Sequence, residues 1–283
     1  MLCVLSVCKN DAPQALKLAK WIRELGGVAP FEIILAISKN AYMDKLHEPI
    51  ETELRMAFRA VTVYVTSDIE PSTWPRGANH GFIRVCKDVI QNNPQKPFLW
   101  LEPDAIPLKQ TWLAQIEHDY ILSKKPFMGA FVDLPNTKQH MSGIGVYVCV
   151  DSLAPNYVLS HEYAFDVVMA DQVLPKAYFT NLICHQWKPE PFKNKEDLQR
   201  IPPEAVLYHQ DKTGGIIDLL RGGCGLVEKP TDGKSSEPAV HAMPAPQSLT
   251  EKQLIEALAT IAKKTNLDRG RIIKQLRIHK LSK

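Results

Sequence analysis

The chain has 283 residues, 45% of them hydrophobic and 23% charged, with a formal net charge of +3. That is enough apolar material for one large domain with an appendage, and no uninterrupted apolar run approaches the roughly 18 residues of a membrane-crossing helix. The charge is uneven. Leu249 to Lys283 carries nine Lys/Arg against three Asp/Glu, a net +6, and leaves the remainder at −3.

"MLCVLSVCKNDAP" opens the chain without a basic leader or a small-residue cleavage site, so it reads as a first core strand over residues 2–7. In the next stretch Leu16, Ala19, Trp21, Ile22 and Leu25 form a stripe at helical spacing, which Gly26-Gly27 ends. "FEIILAIS" predicts a second strand, "TELRMAFRA" a helix, "VTVYVT" a third strand, "GANHGFIRVCKDVIQN" a helix and "PFLWLE" a fourth strand. Strands alternating with helices imply parallel β-α units and a sheet covered on both faces. The pattern continues with a helix in "TWLAQIEHDYIL", strands in "PFMGAFV" and "GIGVYVCV", and a helix in "AFDVVMADQVL". Residues 189–203 read as a polar loop, after which "AVLYHQDKTGGIIDLLRG" returns to order. The six cysteines, Cys3, Cys8, Cys86, Cys149, Cys184 and Cys224, are scattered without a Cys-x-x-Cys pair. Reduced thiols in a cytoplasmic protein are therefore expected.

Residues 229–247, "KPTDGKSSEPAVHAMPAPQ", have a linker's composition. They separate an expected α/β domain over 1–228 from a basic helical module over 248–283. Ser248 and Glu251 fit a capping box, Leu254, Leu258 and Ile261 share a face, and "NLDRG" divides two helices. Arg269, Arg271, Lys274, Arg277, His279 and Lys280 on the second suit phosphate contacts, which hold without reading sequence. A hairpin for dimerisation, or for docking on the body, is the alternative.

Chemistry concentrates in "PFLWLEPDAIPL", where an apolar strand runs straight into Glu102 and Asp104. Residues two apart in an extended segment share a side, and Pro103 ends the strand pairing. Ligand sites of open α/β sheets lie beyond the carboxyl ends of their strands. Two carboxylates there repel unless a cation lies between them, and a divalent ion is the simplest resolution. Two solvated acids in a turn is the plainer one. An ion at such a crevice suggests a diphosphate ligand, whose departing charge it would stabilise. "LYHQDKTGG" offers His209 as a third ligand and Lys212 as a phosphate contact, although His209 also reads as an ordinary polar residue.

A strand ending in Asp-x-Asp or Glu-x-Asp resembles the metal motif of glycosyltransferases of the GT-A fold, a mixed, mostly parallel, Rossmann-related sheet. "LWLEPDAIPL" resembles it in a subset found among bacteriophage and bacterial proteins. "VCKNDAPQALKLAKWIRELGG", "WPRGANHGF" and "HQDKTGGIID" resemble three further segments of that subset, in the right order over roughly residues 1–225. The resemblance implies Mn²⁺ or Mg²⁺ on Glu102, Asp104 and His209, and a UDP-sugar as donor. It implies Lys212 on phosphate, and Cys8, Lys9, Asn10 and Asp11 lining the uridine pocket. Arg76 and Asn79 would contact nucleotide or sugar, and Trp74 would wall the pocket unless it belongs to the core. The first acid is Glu rather than Asp, so ligation through water is open. Phage members of the group glycosylate hypermodified DNA bases. DNA is thus the expected acceptor, and the cytoplasm, the host's if the chain is phage-encoded, the expected location.

In "HMSGIGVYV", Gly143 and Gly145 either let a sugar approach the backbone or turn tightly into a strand. Transfer to a hydroxyl with inversion needs a general base. Asp166, within an apolar helical stretch, is the first candidate and Asp171 the second, with capping or ion pairing as the alternative roles. The reading is a metal-dependent transferase of a hexosyl or N-acetylhexosaminyl group from a UDP-sugar to a hydroxymethylated pyrimidine in DNA. Its rivals are a glycan or protein acceptor, a sugar-nucleotide pyrophosphorylase and a catalytically silent nucleic-acid-binding protein. The pyrophosphorylase would need a glycine-rich basic loop after the first strand, and "CKNDAPQ" has no glycine.

Overall fold

A computed structural model describes residues 1–66, 74–90, 96–135, 137–148, 158 and 162–222. The chain divides into two compact units, Met1–Lys229 and Pro230–Lys283. The expected linker and basic helices lie outside the described residues.

The first half alternates as expected: β1 (Leu2–Val7), α1 (Ala12–Leu25), β2 (Glu32–Ile37), α2 (Lys39–Met43), α3 (His47–Ala57), β3 (Ala60–Val65), α4 (Arg76–Arg84) and β4 (Phe98–Leu101). Short α2 was not anticipated, and α3 begins five residues before "TELRMAFRA". The helix expected over "GANHGFIRVCKDVIQN" is α-helical only to Arg84 and continues as a π-helical turn, Val85–Ile90. Gly26 and Gly27 end α1 with φ of 72° and 81°. A Cβ on Gly27 would lie 1.9 Å from the Gln110 carbonyl oxygen, so no other residue fits there.

The second half is more broken. It contains β5 (Ala105–Pro107), α5 (Trp112–Ser123), β6 (Phe127–Val132), β7 (His140–Tyr147), α6 (Phe165–Val168), α7 (Ala170–Val173), β8 (Ala177–Phe179), β9 (Ile183–His185), β10 (Leu207–His209) and α8 (Gly215–Gly222). The single helix expected over "AFDVVMADQVL" is two four-residue turns broken at Met169. The expected polar loop contains a 3₁₀ helix, Lys195–Arg200, held by a capping box between Asn194 and Asp197.

Seven strands form one sheet in the order β3-β2-β1-β4-β7-β6-β8. The pairs β1–β2, β2–β3, β1–β4 and β6–β8 are parallel, while β7 runs antiparallel to both β4 and β6. Every residue of β4 and β7 is buried, which requires cover on both faces of the sheet's centre. Part of that cover is aromatic. Phe82 of α4 stacks on Phe165 of α6 at 4.0 Å and meets Trp100 and Tyr147 edge-on at 5.1 and 5.2 Å. These contacts fix α4 and α6 against β4 and β7, the strands that lead into the site.

A second sheet of three strands has the order β5-β10-β9. Its Ala105, Ile106, Ile183, Leu207 and Tyr208 pack into the same apolar core as the large sheet. Trp21 Nε1 of α1 donates to the Pro107 carbonyl at 2.7 Å, and Leu108 N extends the β5–β10 pairing to the Val206 carbonyl at 2.9 Å.

Candidate metal and diphosphate site

The chain lays β2 and β3 on one side of β1 and then crosses to place β4 on the other. Beyond the carboxyl ends of β1 and β4 lies the resulting topological switch point, the usual ligand crevice of such sheets. Cys8 to Asp11 follow β1, and Glu102 to Asp104 follow β4.

Strand register builds the rest of the site. His209 is the antiparallel partner of Ala105, the residue after Asp104. On the other side of β10, His209 pairs in parallel with His185. One three-residue strand therefore brings His209 against both the acidic pair and a second histidine. His209 Nε2 lies 3.5 Å from Asp104 Oδ1 and 3.7 Å from Glu102 Oε2. One ligand atom from each of Glu102, Asp104 and His209 lies within 4.8 Å of the others. Asp104 and His209 are only 3% and 4% exposed.

The turn after β10 adds a cation. Asp211 N donates to the Asp104 carbonyl at 3.2 Å, which ties the two loops together. The Asp211 carboxylate accepts from Gly215 N at 3.1 Å and Ile216 N at 2.9 Å, capping α8. Gln210 between them takes φ of 93°, a left-handed conformation that only glycine adopts freely. The turn delivers Lys212 Nζ to Asp104 Oδ2 at 2.5 Å. Burial disfavours the Lys212 ammonium, but Asp104, Glu102 and Asp11 offset this and hold its pKa above the ordinary value. The last of these carboxylates places the β1 end within electrostatic reach of Lys212.

The donor set fits a divalent ion. It combines two carboxylates with an imidazole nitrogen, Nε2 of His209, that is buried without a hydrogen-bond partner among the described residues. Glu102, Asp104 and His209 are the residues that would hold it.

Near this cluster, Asp166 lies in the first turn of α6, its side chain 16% exposed and its Oδ2 3.8 Å from His140 Nε2. Burial raises its pKa, His140 and the Val167 amide oppose the rise, and Glu102 adds to it. Gly143 faces this acid. A Cβ there would lie 3.2 Å from Asp166 Oδ2 and 3.4 Å from Phe165 Cζ. Tyr147 fixes the strand at this point by donating from its hydroxyl to the carbonyls of Ser142 and Gly143, both at 3.1 Å.

Not every expected site residue joins this cluster. Asp171, five residues past Asp166, is 81% exposed and pairs with Lys138 at 2.6 Å, because the break at Met169 turns α7 out of the cluster. Gly143 and Gly145 are not in a turn, since β7 begins before them at His140. The bare Cα of Gly145 serves packing: a Cβ would lie 2.8 Å from the Met128 carbonyl oxygen on β6. Asn79 is fully buried and donates to the carbonyls of Val158 and Tyr163, so it ties α4 to that segment. Trp74 is 74% exposed rather than in the core, and Arg76 is exposed beside it. Of the β1 end, Lys9 is engaged by Asp44 at 2.6 Å, Cys8 donates its thiol to Asp11 Oδ2 at 2.9 Å, and Asn10 is exposed.

His185, Ser142 and His140 were not anticipated. His185 did leave a trace in the sequence, because "ICHQ" repeats the pattern of "LYHQ", a short apolar run closed by His-Gln. Burial, and then His209 beside it, lower the His185 pKa to about 3, which keeps the ring neutral.

No family model and no curated protein matches the chain. Solved structures with a similar chain course include the galactosyltransferase LgtC in complex with donor and acceptor sugar analogs. It is 8% identical, covers 81% of this chain and 98% of its own, and has a TM-score of 0.47. The apo form of mouse xyloside xylosyltransferase 1 is 9% identical over 74% of this chain and 97% of its own, with a TM-score of 0.46. The apo bifunctional glycosyltransferase WbbM is 8% identical over 74% of this chain and 45% of its own, with a TM-score of 0.48.

Proposed function

We propose that the chain is a metal-dependent glycosyltransferase of the GT-A kind that moves a sugar from a UDP-sugar to a hydroxyl. The observation that carries this reading is the convergence of Glu102, Asp104 and His209, with Lys212 beside them, at the switch point of a mostly parallel sheet.

In this reading the three ligands hold Mn²⁺ or Mg²⁺, which supplies positive charge to a departing diphosphate. Lys212 is already the cation on Asp104 and is 63% exposed, so it can turn its ammonium to phosphate oxygens as they arrive. Cys8, Asn10 and Asp11 form the rim for the uridine, with Trp74 and Arg76 as exposed groups available to the nucleotide or the sugar. Asp166 receives the acceptor's proton. Its raised pKa brings it closer to the range where a carboxylate is an effective base. The missing side chain of Gly143 leaves room in front of the accepting oxygen.

The favoured acceptor is a hydroxymethylated pyrimidine in DNA, handled in the cytoplasm. The net +6 of Leu249–Lys283 supports it, since such a tail would tether the catalytic unit to a polyanion. Radiolabelled UDP-sugars with Mn²⁺ test both levels. Transfer to hydroxymethylated but not plain DNA is the expected result. Metal-dependent UDP-sugar hydrolysis with no label on either DNA would overturn the acceptor, and no turnover or binding of any nucleotide sugar would overturn the enzyme.

A further inference from the structure

We propose that His185 is a positioning residue that fixes the tautomer of His209 and thereby turns a bare Nε2 lone pair toward Glu102 and Asp104. The inference rests on the metal-site reading above and adds to it a residue outside the ligand set.

The Nδ1 atoms of His185 and His209 are 2.9 Å apart. Two nitrogen lone pairs cannot face each other at that distance, so one proton lies between the rings. A neutral pair holds two ring protons in all. The second must sit on an outer nitrogen, either Nε2 of His209 or Nε2 of His185. Both of these atoms are buried and lack a hydrogen-bond partner among the described residues. If His209 carries the outer proton, its Nε2 cannot ligate. If His185 carries it, the central proton belongs to His209 Nδ1, His185 Nδ1 accepts it, and His209 Nε2 is free. A bare lone pair on His209 Nε2 thus goes with the central proton on its own Nδ1 and the outer proton on His185 Nε2.

Ser142 Oγ completes the triangle, 3.2 Å from His185 Nδ1 and 3.3 Å from His209 Nδ1. Those distances are long for a hydroxyl, so the shorter nitrogen contact takes the leading part. Register makes the arrangement rigid, because His185 and His209 are paired residues on adjacent parallel strands. A ligating histidine commonly depends on such a support at its other nitrogen, and losing one weakens metal binding by about 10–100-fold.

Mn²⁺ titrated into the full chain, with free ion followed by its electron paramagnetic resonance signal, gives a readout independent of turnover. His185→Ala should weaken binding by about 10–100-fold. His185→Asn, whose side-chain oxygen can accept where Nδ1 does, should keep most of the affinity. A folded His185→Ala that binds Mn²⁺ like the wild type would overturn the proposal. Should that variant not fold, ¹⁵N imidazole spectra of the Mg²⁺-loaded wild type decide. A proton on Nδ1 of His209 and on Nε2 of His185 is expected, and the reverse assignment overturns it. Asp104→Ala separates the two levels. If it binds Mn²⁺ as the wild type does, the metal site itself is wrong. If it loses binding while His185→Ala does not, only the role of His185 falls.

Discussion

The seven-stranded sheet buries β4 and β7 whole, and β7 turns His140 toward Asp166 and Ser142 toward the histidine pair. The three-stranded sheet consists of strands three residues long, yet its register places His185 beside His209 and His209 beside the residue that follows Asp104. Both sheets share one apolar core, but the small one also carries the paired histidines of the candidate site. Stability and chemistry should therefore respond to different mutations, and each of the following changes probes that separation.

Asp166→Asn should lower the rate of transfer by about 10²–10⁴-fold in steady-state assays, the usual worth of a general base, while leaving Mn²⁺ binding in place. Trp100→Ala, in the centre of the large sheet, should cost about 3–5 kcal/mol in urea unfolding through the cavity it leaves. Asp104→Ala should do the opposite. It should lower kcat by about 10²–10³-fold, as expected when charge stabilisation of a leaving group is lost, with little change in the unfolding midpoint, since Lys212 can reach water once released. Asp211→Ala should lie between the two, costing about 1–2 kcal/mol through the lost cap of α8 and also loosening Lys212. The smallest effect concerns pH. Because the folded pKa of Asp166 is raised, the native chain keeps a proton that the unfolded chain releases. Stability should fall as pH rises from about 4 through that raised pKa. Thermal melts of Asp166→Asn should lack this fall and exceed the wild type at neutral pH.

The same division explains what the sequence made legible. Long apolar runs such as "FLWL" and "EIILAI" announce strands by composition alone, and glycines at 26 and 27 mark where α1 stops. Glu102, Asp104 and His209 could be picked out because an acid next to a core strand, and a histidine after one, break a local pattern. The strands of the small sheet leave no period to detect at three residues each, so His185 had no visible neighbour in the sequence. Asp166 and Asp171 look alike as letters. What separates them is the break at Met169, which leaves Asp166 near His140 and Asp171 exposed against Lys138. Gly145 was similarly opaque, because only the register of β7 against β6 shows what approaches it.

His209 lies more than a hundred residues after Asp104, and they become neighbours only when β10 pairs with β5. Closing that loop costs conformational entropy that the pairing and its packing must offset. If the site holds a divalent ion as proposed, a partly synthesised chain that ends before β10 would have the acids without the third ligand. Such an ion would then favour the finished chain over its precursors.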